Sequence, residues 1–136
     1  MQTQSYELFR LRQGQTIVGY QRYVKPGRAF YSKDRLWWES KAIDFHEKDA
    51  FVDLKDKNRH YLFENDMVSL NKASNKASDL WVLIFHAKKK CYTALHCQHF
   101  EEMALATMKD QGVFLQSYLF LNPHIQNILL TKGLIL

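Results

Sequence analysis

Two cysteines, two prolines and five glycines are all that the 136 residues contain of these types, and each shortage closes a class of protein. Two thiols cannot staple a small secreted scaffold, and a cytoplasmic setting would keep Cys91 and Cys97 reduced. Five scattered glycines leave no phosphate-cradling loop, and no nucleophile elbow, HExxH or zinc-deaminase pattern is present. No stretch reaches the roughly 18 apolar residues of a spanning helix. The richest, Val113–Leu130, is interrupted by Gln116, Asn122, Pro123, His124, Gln126 and Asn127. The opening residues hold no apolar run between a basic start and a small-residue cleavage site. The sequence therefore predicts a cytoplasmic protein with no membrane partner.

What is present suits a single globular domain over 1–136. Hydrophobic residues make up 46% and aromatics 14% of the chain, enough apolar surface to offset the entropy of ordering it. The net charge of +5 is unevenly spread. Residues 1–40 carry seven Lys/Arg against three Asp/Glu, 41–69 five against seven, 70–90 five against one, and 91–136 two against three. Two basic segments thus flank an acidic one, and either could attract phosphate or an acidic partner.

The hydrophobic pattern is mostly that of strands. Thr16–Val24 is rich in β-branched and aromatic residues and is stopped by Pro26-Gly27, with Ala29-Phe30-Tyr31 as the returning arm of a hairpin. Leu36-Trp37-Trp38, Phe51–Leu54 and Met67–Leu70 read as further short strands. Asn-Lys-Ala-Ser occurs twice over 71–78, a polar repeat suited to a mobile hairpin tip and too short to stack as a solenoid. Leu80–Phe85 is a continuous apolar run, expected of a strand buried on both faces, and Lys88-Lys89-Lys90 turns it into Cys91–Leu95. Phe100, Met103, Ala104, Thr107 and Met108 follow helical spacing and predict one amphipathic helix over about 98–110, stopped by Gly112. Val113–Leu121 returns to strand character, and Asn122-Pro123 opens a short C-terminal helix. The expected fold is mainly β, a small SH3/OB-like barrel with N-terminal hairpins and two helices. Residues 1–50 would form a semi-independent β layer.

Asp53-Leu54-Lys55-Asp56-Lys57-Asn58-Arg59-His60-Tyr61-Leu62-Phe63-Glu64-Asn65-Asp66-Met67-Val68 resembles the signature of the YopX family of small bacteriophage and prophage proteins, which reads G-L-K-D-K-N-G-x-x-I-Y-E-G-D-I-V. Tyr118–Ile125, with Asn122-Pro123, is similar to the family's closing N-I-Y-E-N-P-E-L. Tyr6–Arg10 lies where members begin I-K-F-R-A-W-D, without the Trp and Asp. The resemblance implies fold and phage origin and carries over no catalytic residue. In this chain Leu54, Lys55, Asp56, Lys57, Asn58, Phe63, Glu64, Asp66, Val68, Asn122 and Pro123 hold the matching positions. Their chemistry is that of turns: Asp and Asn side chains bond nearby amides, while Leu62 and Phe63 anchor. Arg59 and Asn65 stand where the family has Gly, and Asn tolerates a left-handed backbone best among the other residues.

The chemistry-bearing clusters are few. Asp56, Glu64 and Asp66 could hold a divalent ion or act as acid and base, but they alternate with Lys55, Lys57, Arg59 and His60 and read as turn-forming, locally paired carboxylates. Cys91, His96, Cys97 and His99 lack the paired spacing of a structural zinc site. No catalytic, cofactor or metal residue is predicted, and the expectation is a non-enzymatic binding protein. Trp37 and Trp38 are candidate anchors for a host or phage protein, and they cannot both face one side of a regular strand. The alternative is nucleic acid, taken by Arg22, Tyr23, Lys25, Arg28, Phe30, Tyr31, Lys33, Arg35, Trp37 and Trp38, together with a second cluster of Lys72, Lys76, Lys88, Lys89 and Lys90. A homo-oligomer is the third reading, through strand edges or the apolar tail Leu134-Ile135-Leu136.

Overall fold

The computed structural model describes residues 6–72, 74 and 76–136. It is mainly β, with two helices and two five-stranded sheets, whose strands run in the spatial orders β3 (Arg28–Ser32), β2 (Thr16–Val24), β1 (Tyr6–Gln13), β4 (Glu47–Lys55), β5 (Tyr61–Phe63) and β10 (Phe114–Tyr118), β6 (Asp66–Ser69), β7 (Leu80–His86), β8 (Cys91–His96), β9 (Glu102–Met103). Among the described residues the pairing does not close into the ring of a barrel. The chain divides into two compact units, residues 1–51 and 52–136, with the boundary inside one strand.

In the first unit β1 (Tyr6–Gln13) pairs antiparallel with β2 (Thr16–Val24), and β2 with β3 (Arg28–Ser32). The first residues of β4 (Glu47–Lys55) pair with the other edge of β1, Arg10 facing Asp49. The β1–β2 register slips between Leu11 and Arg12, opposite Gly19. A side chain at Gly19 would meet the Ser32 carbonyl oxygen at 2.8 Å, so only glycine lets β3 approach here.

Among the described residues of this unit Leu8, Leu11 and Val24 are the buried apolar ones, and polar groups are buried beside them. Arg10 donates to Asp49 through Nε at 3.0 Å and Nη2 at 2.8 Å. Arg12 reaches both oxygens of the same carboxylate at 2.8 and 2.9 Å. The Asp49 side chain is 0% exposed. Charges this deep are tolerated only when paired and hydrogen-bonded, and the strand register supplies both partners.

The expected strand at Leu36-Trp37-Trp38 is absent. Ser32 Oγ accepts from the Arg35 amide at 2.8 Å, and Asp34 Oδ1 accepts from the amides of Leu36 at 2.8 Å and Trp37 at 3.3 Å. These side chains hold the backbone in bends that a ladder could not use. Only Tyr31 and Glu39 form an isolated bridge here.

The second unit is built on the apolar run foreseen around residue 83. β7 (Leu80–His86) pairs with β6 (Asp66–Ser69) and β8 (Cys91–His96), while β10 (Phe114–Tyr118) and β9 (Glu102–Met103) extend the sheet at its two edges. Alternation then sorts the side chains. Leu83, Val68 and Ala94 face a core with Val52, Leu54, Leu62, Met108 and Val113. Val82, Ile84, Met67 and Leu95 face the other, with Leu119 and Leu129. Leu62 belongs to β5 (Tyr61–Phe63), Met108 to α1 (Leu105–Gln111) and Leu129 to α2 (Pro123–Thr131).

The predicted helix over 98–110 is shorter than its spacing suggested. Glu102 and Met103 pair with β8, and Phe100 adopts φ +61°, so only Leu105–Gln111 is helical. The residues of the expected stripe serve different cores: Phe100 packs on the Leu129 side and Met103 on the Leu83 side. One helical face could not do both. The C-terminal helix begins as expected, with Pro123 in its first turn. Leu134 and Ile135 fold back onto the core, and Leu136 is exposed.

Candidate functional site

The basic and aromatic residues of the first unit gather on β2, β3 and the bend that follows. Trp37 is 73% exposed and Leu36 85%, while Trp38 is half-buried. The two tryptophans therefore part company. Trp37 donates its indole N–H to Glu39 Oε1 at 3.1 Å and borders a cavity of about 460 Å³ with Tyr31, Ser32, Asp34, Lys41 and Ile43. Trp38 donates to the Arg35 carbonyl at 3.2 Å and lies 4.3 Å beneath the Arg22 guanidinium.

Amide donation pins this bend electrostatically. The Leu36 N–H, the Ser32 hydroxyl and the Trp37 N–H hold the Asp34 carboxyl below its usual range against a small burial effect. Asp34 thus stays ionised and keeps Leu36 and Trp37 presented outward.

The second basic cluster does not assemble as one. Lys72 and Lys76 lie on the connection before β7, and Lys88, Lys89 and Lys90 on the turn after it. A seven-residue strand separates its ends by roughly 20 Å. Lys89 is also paired, its Nζ 2.7 Å from Glu102 Oε1.

The cysteine and histidine group serves turns. His86 Nδ1 accepts from the amides of Lys88 and Lys89 at 3.2 and 3.1 Å, and His96 Nδ1 from those of Gln98 and His99 at 3.2 and 3.0 Å. In both turns the histidine carbonyl accepts from the amide four residues on, Lys90 or Phe100, and that residue has positive φ. His96 Nε2 donates to the Ser78 carbonyl at 2.9 Å, so both of its ring nitrogens are occupied. Burial pushes the Cys97 thiol up to about 12, which keeps it protonated and a poor ligand. Among the described residues no three or more His, Cys, Asp or Glu side chains converge to hold a metal ion.

The signature carboxylates are likewise consumed by turns. Asp56 Oδ1 accepts from the amides of Asn58 at 2.9 Å and His60 at 2.8 Å, and Oδ2 from the Leu115 amide and the His60 ring, each at 3.0 Å. Burial pushes its pKa up, and the Leu115 amide and His60 outweigh that, leaving the carboxyl below its ordinary 3.8. Asp66 accepts from the Phe63 amide at 2.7 Å across the Glu64-Asn65 turn. Leu54, Phe63 and Val68 are buried. Lys55 Nζ lies 4.9 Å over the Tyr61 ring, and Lys57 bonds the Val113 carbonyl through its amide. Asn122 donates to the Tyr118 carbonyl at 2.7 Å, bracing the start of α2.

Two features escaped the sequence reading. The Arg10–Asp49–Arg12 network has only the i, i+2 spacing of its arginines on one strand face as a signal. The contact of Arg22 with Tyr6 and Trp38 joins residues from three separate segments and has no local signal.

The chain matches no family model, no curated protein and no solved structure. Its geometry alone therefore bears on what it does.

Proposed function

We propose that the chain is a non-enzymatic accessory protein of phage or prophage type, at work in the bacterial cytoplasm, that acts by binding another protein. One observation carries this reading: Leu36 and Trp37 stand exposed side by side on a bend held by Ser32 and Asp34. A pre-ordered tryptophan with an apolar neighbour is the kind of anchor that dominates protein interfaces, because little entropy is lost on docking. The phage origin draws support from the turns of the YopX-like signature. Asp53, Arg59 and Asn65, which hold the signature's three glycine positions, have φ of 58°, 68° and 76°, the conformation for which glycine is ordinarily needed.

The test is capture of partners from bacterial lysate by the wild type and by a Leu36→Ser/Trp37→Ser variant. A partner held by the wild type and lost by the variant supports the reading; one held equally by both refutes it for this bend. Nucleic acid, the alternative ligand, would show binding at ~50 mM salt that collapses as salt rises. The separation of the lysines at the two ends of β7 favours the protein partner over it.

A further inference from the structure

Arg22 sits mid-strand on β2, opposite Leu8 on β1 and Phe30 on β3. Its guanidinium carbon lies 4.5 Å from the Tyr6 ring centre and 4.3 Å from that of Trp38. The rings restrain the cation and attract it through their quadrupoles, but they accept none of its five N–H donors well. Among the described residues its buried Nε has no hydrogen-bond acceptor and no carboxylate pairs with it. Elsewhere in the same unit Arg10 and Arg12 share a full carboxylate, so the unneutralised state of Arg22 is local.

Arg22 borders a cavity of about 430 Å³ whose other walls are Tyr6, Val24, Phe30 and Trp38. The charge calls for an anion. The planar fork of a guanidinium fits a carboxylate edge-on through two parallel hydrogen bonds. The walls call for an apolar body, and the volume lies in the range of small-ligand sites. We propose that this pocket binds a carboxylate carried on an apolar stem, either a free organic acid or one acidic residue of a peptide. The excess of basic residues over 1–40 raises the local concentration of such anions. The site is distinct from the docking bend, because neither Leu36 nor Trp37 lines it.

Nitrogen-15 NMR of the whole protein tests this by following the Arg22 Nε–H and Trp38 indole N–H. N-acetylphenylalanine supplies a free carboxylate, N-acetylglutamic acid α-amide a side-chain one, N-acetylphenylalanine amide no charge, and inorganic phosphate charge with no stem. Saturable shifts of both signals are expected with at least one carboxylate at a Kd of order 1 mM, and at least about tenfold weaker binding by the amide and phosphate. Whichever carboxylate binds more tightly identifies the source. Arg22→Lys keeps the charge, loses the fork, and is expected to weaken binding about tenfold. Equal responses to acid and amide, phosphate binding as tight as the acids, or no saturable shift by ~20 mM would each overturn the site. Should Arg22→Lys fail to fold, the acid-against-amide contrast on the wild type decides alone. Leu36→Ser/Trp37→Ser leaves these titrations unchanged, so this site and the docking bend fail separately.

Discussion

Between Tyr6 and Phe51 the buried side chains include Arg10, Arg12, Asp49 and Gln21 next to Leu8, Leu11 and Val24, whereas from Val52 onward two apolar cores line the two faces of one sheet. Both units bury charge, but in different ways. In the first, guanidinium meets carboxylate across neighbouring strands. In the second, Asp56 and Asp66 accept backbone amides at turns. A cross-strand pair is strong only if both partners stay, and it stabilises the unit little compared with apolar residues of similar size. A carboxylate that gathers amides fixes local chain direction and leaves bulk stability to Leu83, Ile84 and their neighbours. The first unit is thus specified by a few irreplaceable partners, and the second by redundant packing.

The largest expected effect comes from removing the shared acceptor. Asp49→Ala leaves two buried guanidinium groups without their carboxylate and is expected to cost about 4 kcal/mol in denaturant titration. Hydrogen exchange should show β1 and β2 losing protection while β7 and β8 keep theirs. Equal loss in both units would break the comparison. Next is Leu83→Ala, which empties space in the core shared with Leu54, Leu62 and Met108 and is expected to cost about 3 kcal/mol. A cost below about 1 kcal/mol would mean that this core collapses around the gap and is not closely packed.

The smallest effect sharpens the turn side of the contrast. Asp56→Asn is expected to cost about 2 kcal/mol, because a neutral amide oxygen accepts less strongly from Leu115, Asn58 and His60. The folded protein holds the Asp56 carboxyl below 3.8. Its contribution is therefore complete above that value and is lost as pH falls through the lower folded value. The variant's stability should accordingly depend less on pH below 3.8 than the wild type's, as read by acid unfolding monitored by circular dichroism.

Elements of both units were legible where the chain obeys short-range rules. Leu80–Phe85 reads as a doubly buried strand, Asn122-Pro123 as a helix start, and Thr16–Val24 coincides with β2. The misreadings share a cause. At Leu36–Trp38, side-chain acceptors on Ser32 and Asp34 outcompeted strand propensity. At Phe100–Ala104, helical spacing arose by coincidence from residues that pack on two sides of a sheet. The candidate site was half visible: residue types showed an aromatic and basic surface, but which tryptophan points outward depended on contacts with Arg22 and Arg35. The lysines looked like one patch because 72–90 is short in sequence, and β7 carries its two ends apart.

The paired histidine turns have a consequence for variation. In each, the imidazole at the strand's end takes the amides that would otherwise depend on a particular turn residue, so the bend is written into the strand and not into its tip. The side chains at Ala87, Lys88 and Lys89 are thereby released from the work of turning the chain. Such a tip can change its charge and shape over generations without disturbing the pairing of β7 and β8.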